Sequence, residues 1–173
     1  LGGEAAARID ATTAIEAGGQ RQAVNAVDLG PDRSVDFKKL YAANTDFKVA
    51  YAQGNVTVER DQVVRAIFGS DDGAAVWVNG VRIHRLVTPG RGLNPDSDQF
   101  DVPLRQGHNQ VLVKVENGSG GWGFALSLLD ATGQAQARGS DSVGDLRLRP
   151  RAHPCLALQA QAAVQGDLAQ GRP

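Results

Sequence analysis

The chain has no methionine, a single cysteine and few aromatic residues, and each shortage removes a class of protein. Cys155 stands alone, so no internal disulfide can form. Aromatics make up 5% of the 173 residues, too few for the planar row of exposed rings that crystalline cellulose needs. No apolar run approaches about 18 residues, so no helical membrane span is expected. Lys and Arg number 18 against 19 Asp and Glu, without a basic stripe. Nucleic acid is therefore not an expected partner. The three histidines, His84, His108 and His153, show no metal-ligand spacing. There is no Gly-x-Ser-x-Gly elbow and no His-Glu-x-x-His, so no catalytic role is expected. The start at Leu1, with no methionine anywhere, points to a processed chain or a piece cut from a larger protein.

What the chain has is glycine, 21 residues of it, set between short alternating segments. The clearest is Ala74 to His84, in which Asn79-Gly80 separates two β-rich runs. Both central residues of a type I′ turn need positive φ, which makes Asn-Gly a strong hairpin marker. The expected register sets Val78 against Val81, Trp77 against Arg82 and Val76 against Ile83. Around it, Phe47, Val49 and Tyr51 share one face, as do Val64, Ala66 and Phe68. Phe100, Val102 and Leu104 alternate, then Val111, Val113 and Val115, then Trp122, Phe124, Leu126 and Leu128. Short strands with turn residues between them and one apolar face each predict an all-β fold, an antiparallel β-sandwich. Val35 to Tyr41 reads as one helical turn or a strand entry, and residues 1–35 as short strands and loop.

The texture changes near residue 133. The sandwich is expected over 1–133, and 134–173 reads as a linker or poorly structured tail adding little to stability. Alternation at Leu146 and Leu148 allows one extra strand near 143–149, and Leu156 to Val164 allows a short helix.

Polar residues with binding chemistry gather in the loops. Asp71-Asp72 sits beside Gly73, and Asp96, Asp98 and Asp101 follow Pro95. Such aspartates bond the backbone in turns, and the same oxygens suit calcium. Trp77, Arg82, Arg91, Asn94 and Asn117 are residue types that hold sugars, by ring stacking or by forked hydrogen bonds. Trp122 reads as core. Trp77 lies opposite the aliphatic face of its hairpin, either covered or facing a ligand.

The ordered series Gly69-Ser70-Asp71-Asp72-Gly73, Val76-Trp77-Val78-Asn79-Gly80, Arg91-Gly92, Leu104-Arg105-Gln106-Gly107-His108-Asn109 and Gly121-Trp122-Gly123-Phe124 resembles a recurrent bacterial module. It is similar to galactose-binding-like jelly-roll domains, as in the sugar-binding domain of family 2 glycoside hydrolases and in PA14-like lectins. The likeness covers Ser34 to Asp130. It implies a jelly roll within a secreted or cell-envelope bacterial protein, with a polysaccharide or oligosaccharide and neighbouring domains of a parent protein as partners. It implies a first strand before residue 1. In PA14-like lectins an Asp-Asp pair in a cis-peptide loop holds calcium and sugar; carried over, that role falls to Asp71 and Asp72. The cofactor expectation is none, or one structural calcium ion.

Two functions follow. One is a non-catalytic carbohydrate-binding accessory module; the other is a structural or interaction domain with no sugar ligand. A ligand site is expected at Asp71, Asp72, Trp77, Arg82, Arg91, Asn94, Asp96, Asp98 and Asn117. Arg91 would fork onto a hydroxyl or carboxylate, and Asp72 would accept from hydroxyls or coordinate calcium.

Overall fold

Strands with one apolar face must pair those faces, and this chain does so by stacking antiparallel sheets. The computed structural model describes residues 33–41 and 45–130, with short strands at 15–17, 20–22, 25–27 and 160–165. The first strands are β1 (Ile15–Ala17), β2 (Gln20–Gln22), β3 (Asn25–Val27) and β4 (Ser34–Asp36), followed by helix α1 (Phe37–Tyr41). Next come β5 (Val49–Val58), β6 (Gln62–Asp71), β7 (Ala74–Val78) and β8 (Val81–Leu86). The last are β9 (Asp98–Leu104), β10 (Gly107–Glu116), β11 (Gly123–Leu129) and β12 (Ala160–Gln165).

Strands β1 and β2 form a two-stranded ribbon; the larger sheets run β3-β12-β5-β10-β7-β8 and β4-β11-β6-β9. Within them β5-β10-β7-β8 and β4-β11-β6-β9 follow jelly-roll order, so the expected architecture is present. All eight of those strands lie between Ser34 and Leu129.

The core is built from the inner face of each strand: Val64, Ala66 and Phe68 on β6, Val102 and Leu104 on β9, Val111, Val113 and Val115 on β10, and Phe124, Leu126 and Leu128 on β11. Ile83 and Phe100 pack against it half-buried. Trp122 is core, as expected, and α1 adds Phe37 beside it, ring centroids 5.2 Å apart.

Three local expectations change. In β5 the inner face is Ala50, Ala52, Val56 and Val58, while Tyr51 lies against the outer cluster of Ala75, Trp77 and Leu112. Alternation marks two faces without saying which is inner, and here the larger residue Tyr51 lies on the outer one. In the hairpin, Asn79 and Gly80 do take positive φ, 51° and 81°. Val78 pairs with Val81 and Trp77 with Arg82, but a bulge then sets Val76 against His84 instead of Ile83. The extra residue turns the His84 ring inward. In the tail, Ala160–Gln165 is a strand between β3 and β5, overlapping the stretch 156–164 that allowed a short helix. The tail thus contributes to the sheet; the strand expected near 143–149 lies outside the described residues.

Phe124 is fully buried and touches Phe37 and Phe68. Phe124→Ala is expected to cost about 3–5 kcal/mol, through lost transfer energy and a residual cavity. A urea midpoint equal to that of wild type would contradict this packing.

Candidate functional site

Three loops meet at the end of the sandwich where β6 stops and β7, β9 and β11 begin. They are the β6–β7 turn at Asp71 to Gly73, the β8–β9 connection through Arg91 to Ser97, and the β10–β11 loop from Asn117 to Trp122. The peptide bond between Asp71 and Asp72 is cis.

Asp72 joins all three. It is 4% exposed. One carboxylate oxygen accepts the Arg91 backbone N–H at 2.9 Å and the other accepts the Gly118 N–H at 2.7 Å. Its own N–H donates to the Glu116 carbonyl at 3.0 Å, and the Ser70 hydroxyl donates to its carbonyl at 2.7 Å. A buried charge is tolerable only when its lone pairs are satisfied, and here backbone amides do it.

Arg91 is committed as well. Its guanidinium forks onto Asp98, with contacts of 3.2 and 2.7 Å. This fork was expected to meet a ligand; it instead closes the β8–β9 connection onto β9. Asn117 is fully buried, and its amide donates to the Thr45 carbonyl at 2.6 Å. Trp77 is 5% exposed among Ala75, Leu112 and Tyr51, so it offers no ring face for stacking. Arg82 is exposed, but it pairs with Trp77 near the hairpin turn at the opposite end of the sandwich. Asn94 and Asp96 are exposed at the loop end: the Asn94 side chain accepts the Asp96 N–H, and Asp96 lies 3.5 Å from Arg33. The loop end thus gathers Asp71, Asp72, Arg91, Asn94, Asp96, Asp98 and Asn117, and leaves out Trp77 and Arg82.

Asp71 differs from Asp72. It is half-buried, and one carboxylate oxygen lies so close to Gly121 that a β-carbon there would collide with it. Burial, and then the neighbouring Asp72 charge, push its carboxyl above the usual range; the Leu93 backbone N–H and Lys38 pull more weakly the other way. Among the described residues no group of three or more His, Cys, Asp or Glu is arranged for a metal ion. Calcium takes six to eight oxygens, and each Asp72 oxygen here already accepts an amide.

His84, turned inward by the bulge, stacks on Phe100 with centroids 4.4 Å apart and planes 6° from parallel. Its Nε2 lies 3.7 Å from Asp98 and makes no hydrogen bond. Asp98 is already engaged by Arg91, so the pair does not act as an ion pair. Burial lowers the His84 pKa; Asp98 opposes this only in part.

One residue of this end escaped the sequence reading. Phe47 was grouped with Val49 and Tyr51, yet it lies in a turn before β5 and is 61% exposed. No local pattern distinguishes it from a strand residue; only the turn geometry does.

No protein family matches the sequence, and no curated protein matches it. Among solved structures, the chain is similar to an α-L-rhamnosidase of Streptomyces avermitilis complexed with L-rhamnose, at a TM-score of 0.40 and 16% identity. The similarity covers 82% of this chain, which spans 15% of that one.

Asp72→Ala is expected to lower stability by roughly 2–4 kcal/mol, since two hydrogen bonds to a charged group disappear and two amides lose their acceptor. Amide exchange at Arg91 and Gly118 should quicken more than in the β10 core; uniform protection would contradict the role. For His84, a lowered folded pKa means stability that is present above the unfolded value, about 6.5, and is lost as pH falls. His84→Phe should therefore flatten the fall of unfolding free energy below about pH 6.5. An unchanged slope would show that His84 titrates alike folded and unfolded.

Proposed function

We propose that the chain is a non-catalytic accessory module that binds carbohydrate weakly at the Asp71 end of its jelly roll. It would serve a larger secreted or cell-envelope bacterial protein by holding it near a polysaccharide or oligosaccharide. The observation that supports this reading is Asp71 itself. Asp72 consumes its oxygens inside the fold, whereas Asp71 stands at the surface of the same turn, against a glycine and beside the Leu93 amide. A carboxylate held there is a strong acceptor for sugar hydroxyls. Loops locked onto one buried group present it on a rigid base, which lowers the ordering cost of binding. Asn94 and Asp96, exposed at the same end, extend the polar surface. A shallow site for a solvated sugar gains little net burial, so the affinity belongs in the micromolar to millimolar range.

The second reading is a structural or interaction domain without a sugar ligand. It is favoured by the internal commitment of Arg91, Asp98, Asn117 and Trp77. Among the described residues no helix is long and apolar enough to cross a membrane.

Screening the whole chain on an array of immobilised glycans, with and without calcium, separates the two. Binding is expected, and Asp71→Ala should weaken it about tenfold or more in calorimetry, as loss of a charged acceptor does. Failure of the wild type to hold any glycan in either condition would leave the interaction reading in its place.

A further inference from the structure

Phe47 is the only aromatic among the exposed large hydrophobics of the described residues. Its backbone has a φ of 56°, in the left-handed region that bulky side chains rarely adopt. An exposed ring and an unfavourable backbone are two costs, and neither is offset by packing of the side chain. The conformation persists because the surroundings determine it. The Phe47 N–H donates to the Gly118 carbonyl at 3.0 Å, the Asn117 N–H donates to the Lys48 carbonyl at 2.8 Å, and the Asn117 amide holds Thr45. The neighbouring Gly118 N–H is the one that donates to Asp72. One glycine residue therefore links Phe47 to the Asp71-Asp72 turn. Strain kept in place by its surroundings at a loop cluster is the usual mark of a functional position.

We infer that Phe47 is the stacking platform of a subsite for a neutral hexose unit, set against the Gly118 to Gly121 loop with Asp71 as its hydroxyl acceptor. This rests on the carbohydrate-binding reading above and adds the platform and the ligand class. A hexose has an apolar C–H face and a polar rim, which matches one isolated ring beside polar loops. Ser119 is the only residue with a side chain between Gly118 and Gly121, so the loop backbone stays open to a ligand. The class is neutral because the charges around the site balance: Asp46 and Lys48 flank Phe47, and Lys38 acts on Asp71. Arg91, the guanidinium that would meet a uronate, is forked onto Asp98. A protein partner fits less well, since it would need a contiguous apolar patch of a few hundred Å². Val63 and Val81 lie at the opposite end of the sandwich, around an open groove with Asp61 and Asn79. At the loop end the other exposed aliphatics are Val87 and Leu93, the latter only 37% exposed.

The test uses the full chain, neutral gluco-, galacto- and manno-oligosaccharides, and polygalacturonate oligomers. Calorimetry with the best neutral oligosaccharide compares wild type, Phe47→Ala, Phe47→Trp and Asp71→Ala. Phe47→Ala should weaken binding at least tenfold, Phe47→Trp should retain it, and the melting temperature of Phe47→Ala should equal or exceed that of wild type. Unchanged affinity in Phe47→Ala, with a loss in Asp71→Ala, would overturn the platform and leave the carbohydrate reading standing. Preference for polygalacturonate would overturn the neutral class. Absence of binding to every oligosaccharide would sink both.

Discussion

A buried carboxylate holds the loop end of this protein together. Asp72 takes amide hydrogens from two loops and is itself bonded to a third segment at Glu116. The order of these loops depends on satisfying one charge that cannot reach water. Such an arrangement is strong when complete and costly when one partner is missing. It also sets where the surface groups stand, since Asp71, Arg91 and Gly118 are each within one bond or one residue of it.

The neighbouring clamp follows the same logic. Arg91 and Asp98 neutralise each other in a setting that is mostly closed to solvent, and His84 is left beside them neutral and stacked on Phe100. The bulge in β8 is responsible for that placement. Without it His84 would fall opposite Ala75, on the outer face and away from Phe68 and Phe100. Ile83 still packs on the core, so the inserted residue adds a titratable ring beside it and links the stability of this corner to pH.

These demands change how the loop motif is read. Gly-Ser-Asp-Asp-Gly has the composition of a ligand site, yet most of its chemistry is spent inside the fold. Ser70 and Asp72 close the turn, and Gly69 lets the Asn94 carbonyl pass where a β-carbon would not fit. What remains for recognition is the part of the motif that the fold does not consume: Asp71 and the glycine loop beside it. A turn built to satisfy a buried charge and a surface built to meet hydroxyls use the same residue types, so composition alone does not separate them.

Alternation by itself determined the sandwich. Val111, Val113 and Val115, or Phe124, Leu126 and Leu128, have one partner-seeking face whatever surrounds them, and Asn79-Gly80 needs only its own two residues to turn. Those features are local, and a sequence carries local features openly. What the tertiary structure alone decided was the use of each polar side chain. Whether Arg91 meets a sugar or Asp98, whether Trp77 is bare or covered, and whether Phe47 ends a strand face or stands in water all depend on segments distant in the chain. Hydrogen bonds and burial are settled by neighbours in space. Only the folded arrangement supplies those neighbours, as Gly118 does for Phe47 and Asp72.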